Sequence, residues 1–158
     1  MYNSTYCILL AGAGQLGSRY LQGMSQVDRK LTIFAVDPSS IALDLARQRL
    51  SEAPMSASVD VRFLASLEEV PCEVDLAIVA TPAHCRLDVV ASILSSHMVN
   101  AWILEKLLAQ SINQLDQIVG LLEGHNQVWI NTPRRLMPWH NSIKDQMLKS
   151  KEAVLKVR

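Results

Sequence analysis

The chain has 158 residues, of which 49% are hydrophobic, with 15 basic and 15 acidic side chains. This length suits one domain that can bury a real core. The balanced charge gives no basic field of the kind that attracts nucleic acid, so no nucleic-acid partner is expected. No apolar run reaches the length that spans a bilayer, so no membrane association is expected either.

Apolar segments alternate with helical patterns along the chain. Six segments are predicted to form strands: TYCILLAG, LTIFAVD, VDVRFLAS, VDLAIVAT, NAWILEK and QVWINT. Patterns with three- and four-residue spacing predict helices in QLGSRYLQGMSQ, SSIALDLARQRLSE, HCRLDVVASILSSH, SINQLDQIVGLLEGH and PWHNSIKDQMLKSK. The strands are too apolar to be half-exposed. The fold class is therefore α/β, a doubly wound parallel sheet of about six strands with helices on both faces.

Several side chains are expected in the core or at the surface from this pattern alone. Trp102 and Trp129 fall within predicted strands and are expected in the core, whereas His97 is expected at the surface or in a loop. Four residues of the fourth predicted helix are expected to face inward: Leu115, Ile118, Val119 and Leu122.

The cysteines and the N-terminus indicate the compartment. Cys7, Cys72 and Cys85 are scattered without a C-x-x-C pair, as is typical of free thiols in a reducing cytoplasm. The start of the chain, MYNSTYCILL, lacks a basic segment and a cleavage site, so export is not expected. We therefore predict a cytoplasmic protein, and without clustered Cys and His we predict no metal site.

A glycine-rich turn stands between the first predicted strand and the first predicted helix. Its sequence from Gly12 to Gly17, GAGQLG, matches G-x-G-x-x-G in the context that binds dinucleotides. Gly12 permits the tight turn, Gly14 lets the backbone approach a diphosphate, and Gly17 lets the helix pack close to the strand. Free N–H groups at the helix N-terminus would face the phosphates. Gln15 and Leu16, within the turn, are also predicted to contact the cofactor.

Asp37 ends the second predicted strand, twenty residues after Gly17. An acid at this position accepts hydrogen bonds from the adenosine ribose hydroxyls. It would repel a phosphate on that ribose, and no Arg follows closely, so NAD is predicted as cofactor rather than NADP. Pro38 is included in the predicted cofactor site. The alternative is that Asp37 only caps the next helix, for which Ser39 or Ser40 is the expected N-cap.

Two later turns carry a family resemblance. Thr81-Pro82-Ala83-His84 follows the fourth predicted strand, and Glu105-Lys106 follows the fifth. With the glycine turn and the acid after the second strand, these turns make the chain resemble the N-terminal nucleotide-binding Rossmann domain of the glucose–fructose oxidoreductase / inositol dehydrogenase / rhizopine catabolism family.

The resemblance implies roles for the residues of these turns. Thr81 and Pro82 would line the nicotinamide side of the cofactor groove, and His84 would lie close to it. Glu105 would approach the nicotinamide ribose or carboxamide. Lys106 would be the catalytic residue, which hydrogen-bonds the reacting hydroxyl or carbonyl and polarises it.

The sequence departs from the family pattern in two turns and in length. Leu107 stands where the family has Pro after Glu-Lys, and Arg86 stands where it often has His. Members usually continue into a second α/β domain that binds substrate and commonly forms the dimer. We therefore expect residues 1–158 to be a single dinucleotide-binding domain, with the C-terminal domain absent. We expect either a homo-oligomer or a partner chain that supplies the missing domain.

The implied function is that of an NAD-dependent oxidoreductase. It would transfer hydride to or from a secondary alcohol of a sugar, polyol or nucleotide-sugar. An alternative is a non-catalytic NAD-binding module, either a redox sensor or one chain of a split hetero-oligomeric enzyme. A third hypothesis, an S-adenosylmethionine-binding domain, shares the glycine turn and the acid, but the Thr-Pro and Glu-Lys turns argue against it.

Overall fold

The computed structural model describes residues 4–149. Its strands are β1 (Tyr6–Ala11), β2 (Leu31–Val36), β3 (Val59–Leu64), β4 (Glu73–Val79), β5 (Met98–Glu105) and β6 (Val128–Asn131). Its helices are α1 (Gly17–Met24), α2 (Ser40–Ser51), α3 (Ala83–Ser96), α4 (Ile112–Leu121) and α5 (Pro138–Lys149), with a 3₁₀ turn at Pro133–Leu136. Residues 150 and 151, the end of the last predicted helix, lie outside the described residues. In the described chain, no helix has both the length and the apolar character needed to cross a bilayer.

The six strands form one parallel sheet in the order β3-β2-β1-β4-β5-β6. The order reverses between β1 and β4, and this is the point at which open α/β sheets bind ligands. Ala11 pairs with Val36 on one side and with Val79 on the other, so three strands end level with one another. The predicted doubly wound α/β fold is confirmed.

Helices cover both faces of the sheet. Alternate residues of a strand point to opposite faces, and Leu9 and Leu10 of β1 are accordingly buried in two different clusters. The cluster around Leu9 includes Val90 and Ile93 of α3, whereas the cluster around Leu10 includes Leu21 of α1. Burial on both faces explains why the strands are almost continuously apolar.

The β6 end of the sheet differs from the expected core. Trp102 in β5 is fully buried, as expected, but Trp129 in β6 is 48% exposed. The prediction that Trp129 lies in the core is wrong because β6 is an edge strand. Such a strand has a neighbour on one side only.

Helix α4, which connects β5 to β6, buries fewer of its apolar side chains than their spacing predicted. Ile118 and Leu122 are buried, but Leu115 and Val119 are exposed, so the inward orientation predicted for those two is wrong. Ile118 and Leu122, four residues apart on one face of the helix, join the buried cluster around Leu9 and form the row of α4 that faces the core. His97 lies in the loop between α3 and β5, as one of the two predicted placements has it, but it is buried rather than at the surface. Its Nδ1 lies 2.8 Å from the Ser96 hydroxyl.

Candidate functional site

A cleft of about 1280 Å³ lies at the carboxyl ends of β1, β2, β4 and β5. Ten of the twelve predicted site residues line it: Gly12, Gly14, Gln15, Leu16, Asp37, Pro38, Thr81, Pro82, Glu105 and Lys106. Gly17 and His84 do not line it, because Gly17 is buried beneath the loop and His84 is exposed on the first turn of α3. The strand-end positions thus bring residues far apart in sequence to one place.

The three glycines of the loop from Gly12 to Gly17 have different surroundings. Gly12 has a φ of +96°, which L side chains rarely adopt, and a Cβ there would lie 3.0 Å from the Thr81 nitrogen. A Cβ on Gly17 would collide with the Gly12 carbonyl group. A Cβ on Gly14 would meet nothing within 4 Å. Gly12 and Gly17 are therefore needed for the loop itself, whereas Gly14 leaves its open side to a ligand.

Backbone donors of this loop are free to bind an anion. Within residues 4–149, no protein group accepts a hydrogen bond from the N–H groups of Gly14, Gln15 or Leu16. Helix α1 follows with no side-chain cap and no acidic residue in its first turn. The unpaired N–H groups and the positive end of the helix dipole favour a negatively charged ligand such as a phosphate.

Asp37 connects the loop to the end of β2. One carboxylate oxygen accepts a hydrogen bond from the Ala13 N–H at 2.9 Å, and the other accepts one from the Ser39 N–H at 2.9 Å. The side-chain cap of α2 is Ser39, whose hydroxyl accepts from the Ala42 N–H at 3.3 Å. Helix capping therefore does not account for Asp37 on its own.

Arg49 of α2 also holds the loop through hydrogen bonds. Its Nη1 donates to the Gln15 carbonyl at 3.0 Å and to the Ser18 hydroxyl at 2.7 Å, and its Nη2 donates to the Gln15 side-chain oxygen. Arg49 could not be predicted as part of the site, because no local sequence pattern shows that α2 packs beside α1. The guanidinium is engaged with the loop and lies outside the lining of the cleft.

The turn after β4 presents an unpaired hydroxyl. Thr81 lines the cleft, and its Oγ1 is buried with no hydrogen-bond partner within the described chain. Buried hydroxyls are normally hydrogen-bonded. This atom is therefore suited to a polar group of a ligand.

Glu105, at the end of β5, belongs to a buried hydrogen-bond network. Its side chain is 4% exposed. The Tyr20 hydroxyl donates to Glu105 Oε1 at 2.5 Å, and Asn131 donates to the same oxygen and, at 2.6 Å, to the Tyr20 oxygen. Burial, with the adjacent Glu105 carboxylate, raises the pKa of Tyr20 above its ordinary value. Asn131 is the last residue of β6, so it lies at the carboxyl ends of the strands as Glu105 does. Neither Tyr20 nor Asn131 was predicted from the sequence to contact Glu105.

The turn after β5 carries Lys106, which is exposed and lines the cleft. The peptide bond from Lys106 to Leu107 is cis. The guanidinium of Arg86 contacts the backbone of this turn, a role that the sequence did not predict for this departure from the family pattern. Within the described residues no group of three or more His, Cys, Asp or Glu side chains could hold a metal.

Three solved structures have the same fold. The scyllo-inositol dehydrogenase of Lactobacillus casei has a TM-score of 0.68 at 16% identity, over 97% of this chain and 44% of its own. The myo-inositol dehydrogenase of the same organism, in complex with NAD(H) and myo-inositol, has a TM-score of 0.70 at 14% identity, over 92% and 42%. The WlbA dehydrogenase of Thermus thermophilus, in complex with NAD and UDP-GlcNAcA, has a TM-score of 0.65 at 18% identity, over 95% and 48%.

This chain therefore spans less than half the length of each of these enzymes. A comparison with curated protein sequences gave no significant match. The family profile described as "Oxidoreductase family, NAD-binding Rossmann fold" matches residues 7–132, which include the glycine loop, Asp37 and the turns after β4 and β5. The chain belongs to this family, GFO_IDH_MocA.

Proposed function

We propose that the cleft binds NAD(H) and that the chain is the cofactor-binding domain of a dehydrogenase. The reaction is hydride transfer to or from a secondary alcohol of a sugar, polyol or nucleotide-sugar. The observation that carries the proposal is the convergence of unpaired loop N–H groups, Asp37, Thr81 and Lys106 on one cleft at the switch point. Family membership and the named ligands of the structural neighbours support it.

The cofactor would lie across the switch point. Its diphosphate would bind the N–H groups of Gly14, Gln15 and Leu16, with Gly12 and Gly17 shaping the loop beneath it. The adenosine ribose would meet Asp37 and Pro38. The Asp37 carboxylate would repel a ribose phosphate, so NAD is favoured over NADP. These contacts use the free donors and the open side of Gly14.

The nicotinamide half would lie toward β4 and β5. Thr81 and Pro82 would border the ring, and the Thr81 hydroxyl would gain the partner that it lacks in the protein. Glu105, oriented by Tyr20 and Asn131, would bind the ribose or the carboxamide. His84 is given no cofactor contact, because it does not line the cleft.

Bound NAD supplies the hydride acceptor or donor. Lys106 would hydrogen-bond the reacting oxygen through its ammonium group, hold it near the nicotinamide and stabilise negative charge on it. Its exposed position at the cleft leaves the ammonium accessible to a substrate.

We propose further that residues 1–158 form one dinucleotide-binding domain and that additional polypeptide completes the substrate pocket. The structural neighbours have more than twice the matched length. Large apolar side chains near β6 and α5 are exposed, among them Trp129, Leu136 and Trp139. A second copy or a partner chain could cover them. The three free thiols fit a cytoplasmic location.

Cofactor titration tests the proposed function. Purified protein should quench or shift NADH fluorescence on binding, with a dissociation constant at least about tenfold lower than that for NADPH. NAD should also raise the melting temperature more than NADP does. Equal or tighter binding of NADPH would contradict the cofactor preference, and absence of any NADH binding would contradict the function. Binding of NADH without turnover when partner polypeptide is present would favour the non-catalytic module.

A further inference from the structure

We infer that Arg86 is a positioning residue that ties the turn after β4 to the turn after β5 and so shapes the nicotinamide half of the cleft. The inference rests on the proposed function. Arg86 lies on the second turn of α3, with 2% of its surface exposed. It also borders the cleft.

The contacts of the guanidinium are with backbone carbonyls of both turns. Nη1 donates to the Glu105 carbonyl at 2.6 Å and also to the Leu107 carbonyl, which are the groups on either side of Lys106. Nη2 donates to the Thr81 carbonyl. One planar group thus spans the residues proposed to meet the nicotinamide, its ribose and the substrate.

The chemistry of arginine suits this arrangement. A guanidinium has five donors in a rigid fork, whereas an ammonium is a point charge that cannot hold two separated turns at fixed spacing. Burial lowers the pKa of Arg86, and the Glu105 carboxylate opposes this effect by favouring the charged form. Nε has no partner in the described chain, so the buried cation is not fully compensated. Its hydrogen bonds to the carbonyls of the two turns offset part of the cost of burying this cation.

The half of the cleft proposed to bind the adenosine diphosphate is held by a different set of hydrogen bonds. The Gly12 N–H bonds to the Val36 carbonyl at 2.8 Å, the Ala13 N–H bonds to Asp37, and Arg49 holds Gln15. None of these bonds involves Arg86. Loss of Arg86 should therefore disturb the nicotinamide half while leaving the adenosine diphosphate half in place.

The test compares two ligands in the same variants. NADH occupies both halves, whereas ADP lacks the second ribose and the nicotinamide. In Arg86→Met the dissociation constant for NADH should rise about tenfold or more, since bonds from a charged donor are lost. That for ADP should stay within about twofold, because its supports are untouched. Arg86→Lys should also raise the ratio of the NADH dissociation constant to the ADP dissociation constant. Lysine keeps the positive charge but cannot bridge both turns.

Arg47→Met is the matched control. Arg47 is exposed on α2, pairs with Asp44 at 2.7 Å and lies outside the cleft. Its replacement should therefore leave the ratio of the NADH and ADP dissociation constants unchanged. An unchanged ratio in both Arg86 variants would overturn the inference. Equal loss of NADH and ADP binding would also overturn it, because Arg86 would then support the fold as a whole. Failure of the wild-type protein to bind NADH would instead refute the proposed function, and the inference with it.

Discussion

The Ala13 N–H donates to a carboxylate oxygen of Asp37 at 2.9 Å. This bond joins the glycine loop after β1 to the end of β2, while the second oxygen of Asp37 accepts from Ser39. The carboxylate proposed to meet the ribose is therefore held by the same loop that is proposed to bind the diphosphate. A site held in this way before ligand binding loses less conformational entropy when the ligand arrives.

Replacing Asp37 should weaken NADH binding and reduce the preference over NADPH. In Asp37→Ala the ribose loses its acceptor and a ribose phosphate no longer meets a negative charge, so we expect NADH affinity to fall about tenfold and the preference to shrink. Fluorescence titration with both cofactors measures this. Asp44→Ala removes an exposed acid from α2 and should change neither the NADH nor the NADPH dissociation constant. A preference that survived in Asp37→Ala would contradict the assignment.

Gly17 and Gly23 provide a matched pair within α1. Alanine at Gly17 would collide with the Gly12 carbonyl, so we expect a loss of about 1–3 kcal/mol in the free energy of unfolding. Alanine at Gly23 meets nothing within 4 Å, and there the higher helix propensity should stabilise the protein by up to about 1 kcal/mol. Urea denaturation of both variants gives the comparison. Equal effects in the two variants would show that the collision is relieved without cost.

Much of the fold could be predicted because its determinants are local. Apolar runs of strand length alternate with helical spacing, and parallel strands place their carboxyl ends at one edge. That geometry alone brings Asp37, Thr81 and Lys106 to the same cleft. The glycine loop was predictable for a similar reason, because its conformation is determined by a few consecutive residues.

The residues that sequence reasoning missed depend on packing between distant elements. Arg49 reaches the loop from α2, and Asn131 reaches Glu105 from β6. No spacing in the sequence indicates that these groups meet. The exposure of Trp129 likewise depends on β6 being the edge strand, which follows from the strand order rather than from the composition of β6.

Lys106→Met should separate binding from chemistry. Lys106 is exposed at the cleft and is proposed to act on the substrate, so NADH affinity should stay within about twofold of wild type. When the chain is combined with the polypeptide that completes the substrate pocket, the complex should oxidise a polyol or sugar with NAD. In that reaction kcat should fall about 100-fold or more, as when a charge-stabilising donor is removed. Steady-state kinetics and NADH titration on one preparation test both parts. Lys144→Met, an exposed substitution on α5, is the control. Unchanged turnover in Lys106→Met would show that another group polarises the substrate.

The bond between Tyr20 and Glu105 should make stability depend on pH in the alkaline range. Burial and Glu105 raise the pKa of Tyr20, so the folded protein keeps the phenolic proton at pH values where the unfolded chain releases it, near 10. Above that pH the unfolded state binds fewer protons than the folded state, and stability falls as pH rises. The contribution of Tyr20 is thus complete below about pH 10 and is lost progressively above it.

Tyr20→Phe isolates this contribution. Below pH 9 the variant should be less stable than wild type by about 1–3 kcal/mol, since the Glu105 carboxylate loses a donor. The difference should narrow above about pH 10, because the wild-type protein loses its advantage while Phe has no proton to release. Urea denaturation at pH 8, 9, 10 and 11 measures it, with Tyr6→Phe at the start of β1 as the control. A difference that stayed constant or widened toward pH 11 would show that the Tyr20 hydroxyl does not donate to Glu105 in the folded protein.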